Sequence, residues 1–236
     1  MRLSFADERV LAIVAHPDDA ELLCAGTLAR AARDGATIGI SVLCLGDKGQ
    51  PAQPLPDLAM VRRGEMEKAA ALLGAELFLG FAPDSELRDD TESRQRLVTR
   101  LRQFRPTLLL AHSSEDYHTD HRTASALSET CSWLAASNGY PCELPALPQQ
   151  PAVWWMDTVG MHRFEPGFYV DVSDFVELKE QMLTCHTSQM ARGSDGDFSP
   201  LSDLMHDQLA ARGRQSDCAA AEAFQIHRAF RRARAW

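Results

Sequence analysis

The chain has no pair of cysteines at CxxC spacing. Its six cysteines, Cys24, Cys44, Cys131, Cys142, Cys185 and Cys218, are scattered, mostly in apolar surroundings. They read as buried, reduced thiols of a cytoplasmic protein. No G-x-G-x-x-G occurs in residues 15–26, after the first apolar segment, which removes a dinucleotide-binding turn. No apolar run is long enough to span a bilayer, so no membrane span is expected. Residues 1–8 lead straight into a strand, so no signal peptide is expected either. Basic residues are in deficit, 24 Lys and Arg against 33 Asp and Glu, for a net charge of −9. A chain this acidic lacks the basic face that nucleic acid requires. The arginines Arg228, Arg231, Arg232 and Arg234 read as a solvated helix end. There is no internal repeat or low-complexity segment.

What is present is an alternation of strands and helices. Apolar or branched runs at residues 10–15, 37–45, 76–79, 107–111, 152–156 and 168–172 predict strands. Helical periodicity covers residues 18–32, 59–73, 91–104, 120–136 and 174–190. A tail over 203–233 is expected to be mostly helical, with a break near Gly213. Gly74 and Pro106 punctuate two of these helices. Residues 46–58 form a Gly/Pro loop, 138–151 are Pro-rich, and 191–202 are polar and Gly-rich. The alternation predicts an α/β fold, a Rossmann-like doubly wound and mostly parallel sheet flanked by helices, as one domain over residues 1–236.

The chemistry concentrates where two apolar strands end. The first runs into His16, Pro17, Asp18 and Asp19. Pro17 fixes a strand-to-helix corner, and the carboxyl edge of an open sheet is where ligands bind. One imidazole and one carboxylate can hold a divalent ion, and a second carboxylate can serve as base. Asp18 and Asp19 would equally suit a helix cap. The fourth strand, at residues 107–111, runs into His118, Asp120 and His121. In the usual doubly wound order these two strands flank the switch point. His16, Asp19 and His121 would then form a His₂-carboxylate set with open positions, as in catalytic rather than structural zinc sites.

The segment Ala15-His16-Pro17-Asp18-Asp19-Ala20-Glu21 resembles the first motif of the PIG-L/LmbE-like deacetylase family, and Asp116-Tyr117-His118-Thr119-Asp120-His121-Arg122 resembles its second. Arg63 with Ala69-Ala70 and Leu73-Gly74, Cys185-His186-Thr187-Ser188-Gln189, and Glu222-Ala223-Phe224 are similar to further family segments. The resemblance implies an LmbE-like fold and zinc-dependent removal of an N-acetyl group from an N-acetylglucosamine-type amino sugar. Zinc, with ferrous iron as the other candidate, would be held by His16, Asp19 and His121. Asp18 would be the base. His118 would stabilise the oxyanion and help to protonate the leaving amine, and Asp120 would orient His118; direct contact with that carboxylate is expected to keep His118 charged. Arg63, adjacent to Arg62, would contact substrate, and His186 would line the pocket. Asp47 and Glu86 are candidates for sugar hydroxyl contacts, and Trp154, Trp155, Phe164, Phe168 and Tyr169 for a stacking platform or for core. The resemblance also implies a homo-oligomer, a trimer or hexamer. Alternatives on the same machinery are an amidase that cleaves a larger acyl group and a catalytically inactive sugar-binding relative.

Overall fold

A computed structural model describes residues 4–190, 192 and 200–228. Strand β1 (Arg9–Val14) is buried from Val10 onward, and β4 (Leu108–Ala111) is buried throughout. Runs this apolar belong at the centre of a parallel sheet covered on both faces. β1 pairs in parallel with β2 (Thr37–Val42) on one side and with β4 on the other. β3 (Glu76–Phe78) extends the first side, and β5 (Ala152–Met156), β7 (Ala221–Ile226) and β6 (Phe168–Asp171) extend the second. The seven-stranded order is β3-β2-β1-β4-β5-β7-β6, with β7 antiparallel to both its neighbours. The winding reverses between β1 and β4, so a crevice opens beyond their carboxyl ends. Val10, Ala12 and Val14 enter one core cluster and Leu11, Ile13 and Ala15 the other, so successive β1 side chains supply opposite faces.

Three helices differ from their predicted form. The helix predicted over 18–32 is two, α1 (Asp19–Leu23) and α2 (Ala25–Arg33), broken at Cys24 with φ −150° and ψ 4°. The break is held from across the chain. Glu222 accepts hydrogen bonds from the Gly26 and Thr27 amides at 2.9 and 2.7 Å, capping α2 where its own N-cap offers no side-chain bond. The helix predicted over 174–190 is split near Cys185 and His186 into α6 (Val176–Thr184) and α7 (Thr187–Met190). The Glu65 carboxylate accepts from the Ser188 amide and from both the Thr187 and Ser188 hydroxyls at 2.7 Å, fixing α7. The predicted helical tail is helix α8 (Leu201–Ser216), running unbroken through Gly213, followed by strand β7. Insertion between β5 and β6 overrides the helical preference of the alanines in β7. The end of the predicted tail, with Arg231, Arg232 and Arg234, and most of the loop at 191–202 lie outside the described residues.

The remaining helices follow the sequence closely: α3 (Leu58–Leu73) stops at Gly74 with φ +70°, α4 spans Thr91–Phe104, and α5 spans Thr119–Leu134. Trp154 belongs to the core, in contact with Phe5, Phe168 and Phe224. Near the carboxyl edge, a Cβ added at Gly80 would lie 1.9 Å from the Cys44 carbonyl oxygen, so only glycine fits there. Gly80→Ala is expected to cost about 1–3 kcal/mol or more through forced backbone movement, read as a lowered denaturant midpoint with an unchanged slope.

Candidate active site

The corner after β1 is built under strain. Asp18 has φ +100°, a left-handed conformation that a non-glycine residue adopts at a cost of about 1–3 kcal/mol. The turn brings the Asp19 side chain back under the corner, where Oδ2 accepts the His16 amide at 2.7 Å. Asp19 then faces three imidazoles. His16 Nδ1 is 3.5 Å from Oδ2, His112 Nε2 is 3.3 Å from Oδ2, and His121 Nε2 is 3.3 Å from Oδ1.

The far nitrogens of two of these rings have carboxylates of their own. His16 Nε2 lies 3.0 Å from Asp120 Oδ2, which also accepts the Ser85 amide at 2.7 Å. His121 Nδ1 lies 3.1 Å from Asp116 Oδ1, which accepts the His118 amide at 2.9 Å. Each ring is thereby set with one nitrogen toward Asp19 and the other toward an outer carboxylate. Such carboxylates fix the tautomer and orientation of metal-binding histidines. His112 differs. Its Nε2 accepts the Ala15 amide at 3.0 Å, and its ring stacks on His121 at 4.0 Å.

Protonation follows from these contacts. Burial pulls the His16 pKa down, but the Asp120 and Asp19 contacts outweigh it and hold His16 well above the ordinary value. For His121, burial is likewise outweighed, by the Asp19 charge and Asp116, and the pKa rises to about 9. Asp19 is held well below the usual carboxylate range despite its burial, because of its histidine partners. His112 falls to about 4 through burial and the neighbouring His121 charge. Without an ion the centre is therefore a carboxylate between two imidazolium rings. Exchanging their two protons for one divalent cation leaves the local charge unchanged. The donor set fits such a cation on that ground as well as on its chemistry.

Asp18 meets Arg62 at 2.6 Å, and Arg62 also donates to the Pro17 carbonyl. Burial raises the Asp18 pKa against the opposing pull of Arg62. His118 is the N-cap of α5, and its Nδ1 accepts the Asp120 amide at 3.1 Å. Burial and the charges on His16 and His121 lower its pKa. This corrects the sequence expectation for Asp120, whose carboxylate lies on His16 and not on His118. Its link to His118 is through the backbone, and His118 is not held charged.

A cavity of about 320 Å³ opens over the centre, lined by His16, Asp18, Asp19, His118 and His121 together with Lys48, Arg62, Asp84, Ser85, Tyr117, Gln189 and Arg192. Four expected substrate-contact residues, Arg63, Asp47, His186 and Glu86, are absent from this lining. Arg63 is on the outer face of α3, paired with Glu67 at 2.9 Å, and Arg62 takes the inward place. Asp47 accepts the Asp84 amide at 2.8 Å and so ties two loops together behind the cavity. His186 is fully buried, 3.5 Å from Glu21. Glu86 pairs with Lys48 at 2.7 Å without lining the cavity, and none of the five aromatic residues expected as a stacking platform lines it. The aromatic residue at its rim is Tyr117, 73% exposed. Asp116, His112 and Arg62 belong to the site, and sequence reasoning assigned them no role of their own. For Arg62 the signal was present. Leu58, Arg62, Met66, Ala69 and Leu73 form the buried stripe of α3, and Arg63 falls off it.

Fold and site together define a doubly wound α/β protein with a candidate metal centre at the switch point of its sheet. The family described as PIG-L: GlcNAc-PI de-N-acetylase matches residues 11–132, more than half of the 236-residue chain, and the chain belongs to this family. It is 29% identical over 190 residues to the diacetylchitobiose deacetylase of Thermococcus kodakarensis, covering 77% of this chain and 70% of that protein. The crystal structure of a conserved protein of Thermus thermophilus aligns with TM-score 0.80 and 30% identity, over 97% of this chain and 100% of that one. The 4-carboxy-2-hydroxymuconate hydratase of Pseudomonas putida aligns with TM-score 0.82 over 94% of this chain and 97% of that one, and at 21% identity the likeness is one of fold.

Proposed function

We propose that this protein is a metal-dependent deacetylase that removes the N-acetyl group from an N-acetylglucosamine-type amino sugar or its conjugate. The observation that carries the proposal is Asp19 set between His16 and His121, whose far nitrogens face Asp120 and Asp116. His16, Asp19 and His121 would hold the ion, with zinc favoured by the two-imidazole, one-carboxylate set and ferrous iron served by the same ligands. The ion supplies Lewis acidity, making water more acidic and a carbonyl more electrophilic.

The chain's own residues supply the rest. Asp18, steadied by Arg62, takes a proton from the attacking water. With Nδ1 committed to a backbone amide, neutral His118 carries its N–H on Nε2, where it can donate to the oxyanion of the tetrahedral intermediate. When the C–N bond breaks, the proton taken by Asp18 is the one the departing nitrogen needs, and acetate and the free amine leave. Tyr117 at the rim offers a face for the sugar ring.

An acetate-release screen over N-acetylglucosamine, its phosphates, its glycosides and diacetylchitobiose, with and without added metal, tests the proposal. Turnover that does not depend on metal, or none across the panel, would remove it. An unsaturated polycarboxylate belongs in the same screen, because one structural relative is a hydratase. The cavity's charges favour a neutral polyol. Lys48 is already paired with Glu86 and Arg62 with Asp18, Arg192 donates to the Gln189 amide oxygen, and Asp84 adds a further carboxylate.

Two further outcomes follow from the outer carboxylates. Asp116→Asn and Asp120→Asn should each lower metal affinity about 10- to 100-fold, measured by competition with a chromophoric chelator. Because binding displaces protons from His16 and His121, affinity should also tighten as pH rises toward the His121 value of about 9.

A further inference from the structure

Cys44 has no part in the chemistry above, yet its side chain lies against the side of His16 turned away from Asp19. The ligand-capable atoms of His16, Cys44 and Asp120 lie within 4.8 Å of one another. On this side the imidazole presents Nε2, 3.0 Å from Asp120 Oδ2, while Nδ1 faces Asp19. One ring thus looks onto two different donor sets. The second set is a thiol, an imidazole nitrogen and a carboxylate, the mixture that zinc and other borderline-soft divalent ions prefer over magnesium or calcium.

Its members are held in place independently of any ion. The Cys44 amide donates to the Ala15 carbonyl at 2.8 Å, Cys44 bridges to Ala82, and Gly80 packs directly under the Cys44 carbonyl. Asp120 is fixed by the Ser85 amide. Cys44 also lines a second cavity of about 130 Å³, bounded by Pro17, Met60, Arg63 and Gly80, on which the sugar cavity does not draw.

We propose that Cys44 Sγ, His16 Nε2 and a carboxylate oxygen of Asp120 form a second, inhibitory position for a thiophilic divalent cation. Filling it releases the thiol proton and the proton between His16 and Asp120 to solvent, and no other bond changes. It takes from His16 the hydrogen bond that orients it, so the first centre loses its set geometry. The inference rests on the reading that His16 Nδ1 serves the first centre.

The test is a cobalt(II) titration of the metal-free full chain, following acetate release and the near-ultraviolet sulfur-to-cobalt charge-transfer band. The first equivalent should restore turnover without that band. Further equivalents should bring in the band together with a severalfold loss of rate. Cys44→Ser, with Cys44→Ala as a second variant, should abolish both the band and the inhibition while keeping the first-equivalent turnover. A band or an inhibition that survives in these variants overturns the proposal, as does excess cobalt that never produces the band. If both variants fail to fold, cadmium NMR of the unaltered chain decides. A second resonance shifted as one sulfur ligand requires supports the proposal, and only nitrogen- and oxygen-ligated cadmium overturns it. Absence of turnover at the first equivalent would count against the deacetylase reading alone, because the sulfur band is read separately.

Discussion

Asp18→Asn should retain the metal and lose about 10²- to 10⁴-fold in kcat, the usual loss when one proton-transfer group is removed. Asp19→Ala should instead lose the metal. The two carboxylates are neighbours in sequence but not in role. Asp19 touches His16, His112 and His121, whereas Asp18 points to Arg62 and carries the strained φ of the turn. Asparagine keeps the shape of Asp18 and tolerates a left-handed backbone, so the turn survives the substitution. Metal content by atomic emission, beside kcat on the same preparations, decides the assignment. Metal loss from Asp18→Asn with retention in Asp19→Ala would reverse it.

The second large effect is on stability. Glu222→Ala should cost about 3–5 kcal/mol, the penalty for stranding one member of a buried ion pair. The Lys179 and Glu222 side chains are each 1% exposed and meet at 2.5 Å, and Lys179 also donates to the Leu22 carbonyl at 2.9 Å. The same carboxylate is the acceptor for the first amides of α2. Against a typical total of about 5–15 kcal/mol, the loss would put much of the chain near its unfolding midpoint. Glu222→Gln keeps an oxygen for one amide and should cost less. Urea unfolding of both variants gives the order, and equal midpoints for Glu222→Ala and the unaltered chain would refute it.

The sequence exposed those parts of the site that depend on local order. An apolar strand must stop where its burial stops, so polar residues directly after residues 10–15 and 107–111 are placed at the sheet's carboxyl edge by chain continuity alone. His16, Asp19 and His121 were found in that way. Helix α4 and the Gly74 stop of α3 were equally local. What failed depended on distant partners. The break at Cys24 is held by Glu222, which lies 196 positions after the Gly26 amide that it accepts. His186 looked like a pocket residue until Glu21, packed against it, showed it to be interior. The Asp120 carboxylate was expected on its sequence neighbour His118, but it reaches from the start of α5, beyond β4, to His16 beyond the end of β1, a contact that local order does not show. The Arg62 and Arg63 ambiguity was of a different kind, since helical periodicity along α3 resolves it without any structure.

The place of β7 in the sheet bears on the order in which this protein can be made. The strand lies between β5 and β6, both of which leave the ribosome before it. Until it emerges, β5 has no neighbour on that side and β6 has no place in the sheet, so the nascent chain carries unpaired backbone and an uncovered core face. Glu222 arrives with the same strand, so α2 lacks its cap for most of synthesis. The site's residues are all translated well before the molecule can hold them still. A ribosome-stalled chain ending before Ala221 should therefore be protease-sensitive throughout and bind metal poorly, although every proposed ligand is already present.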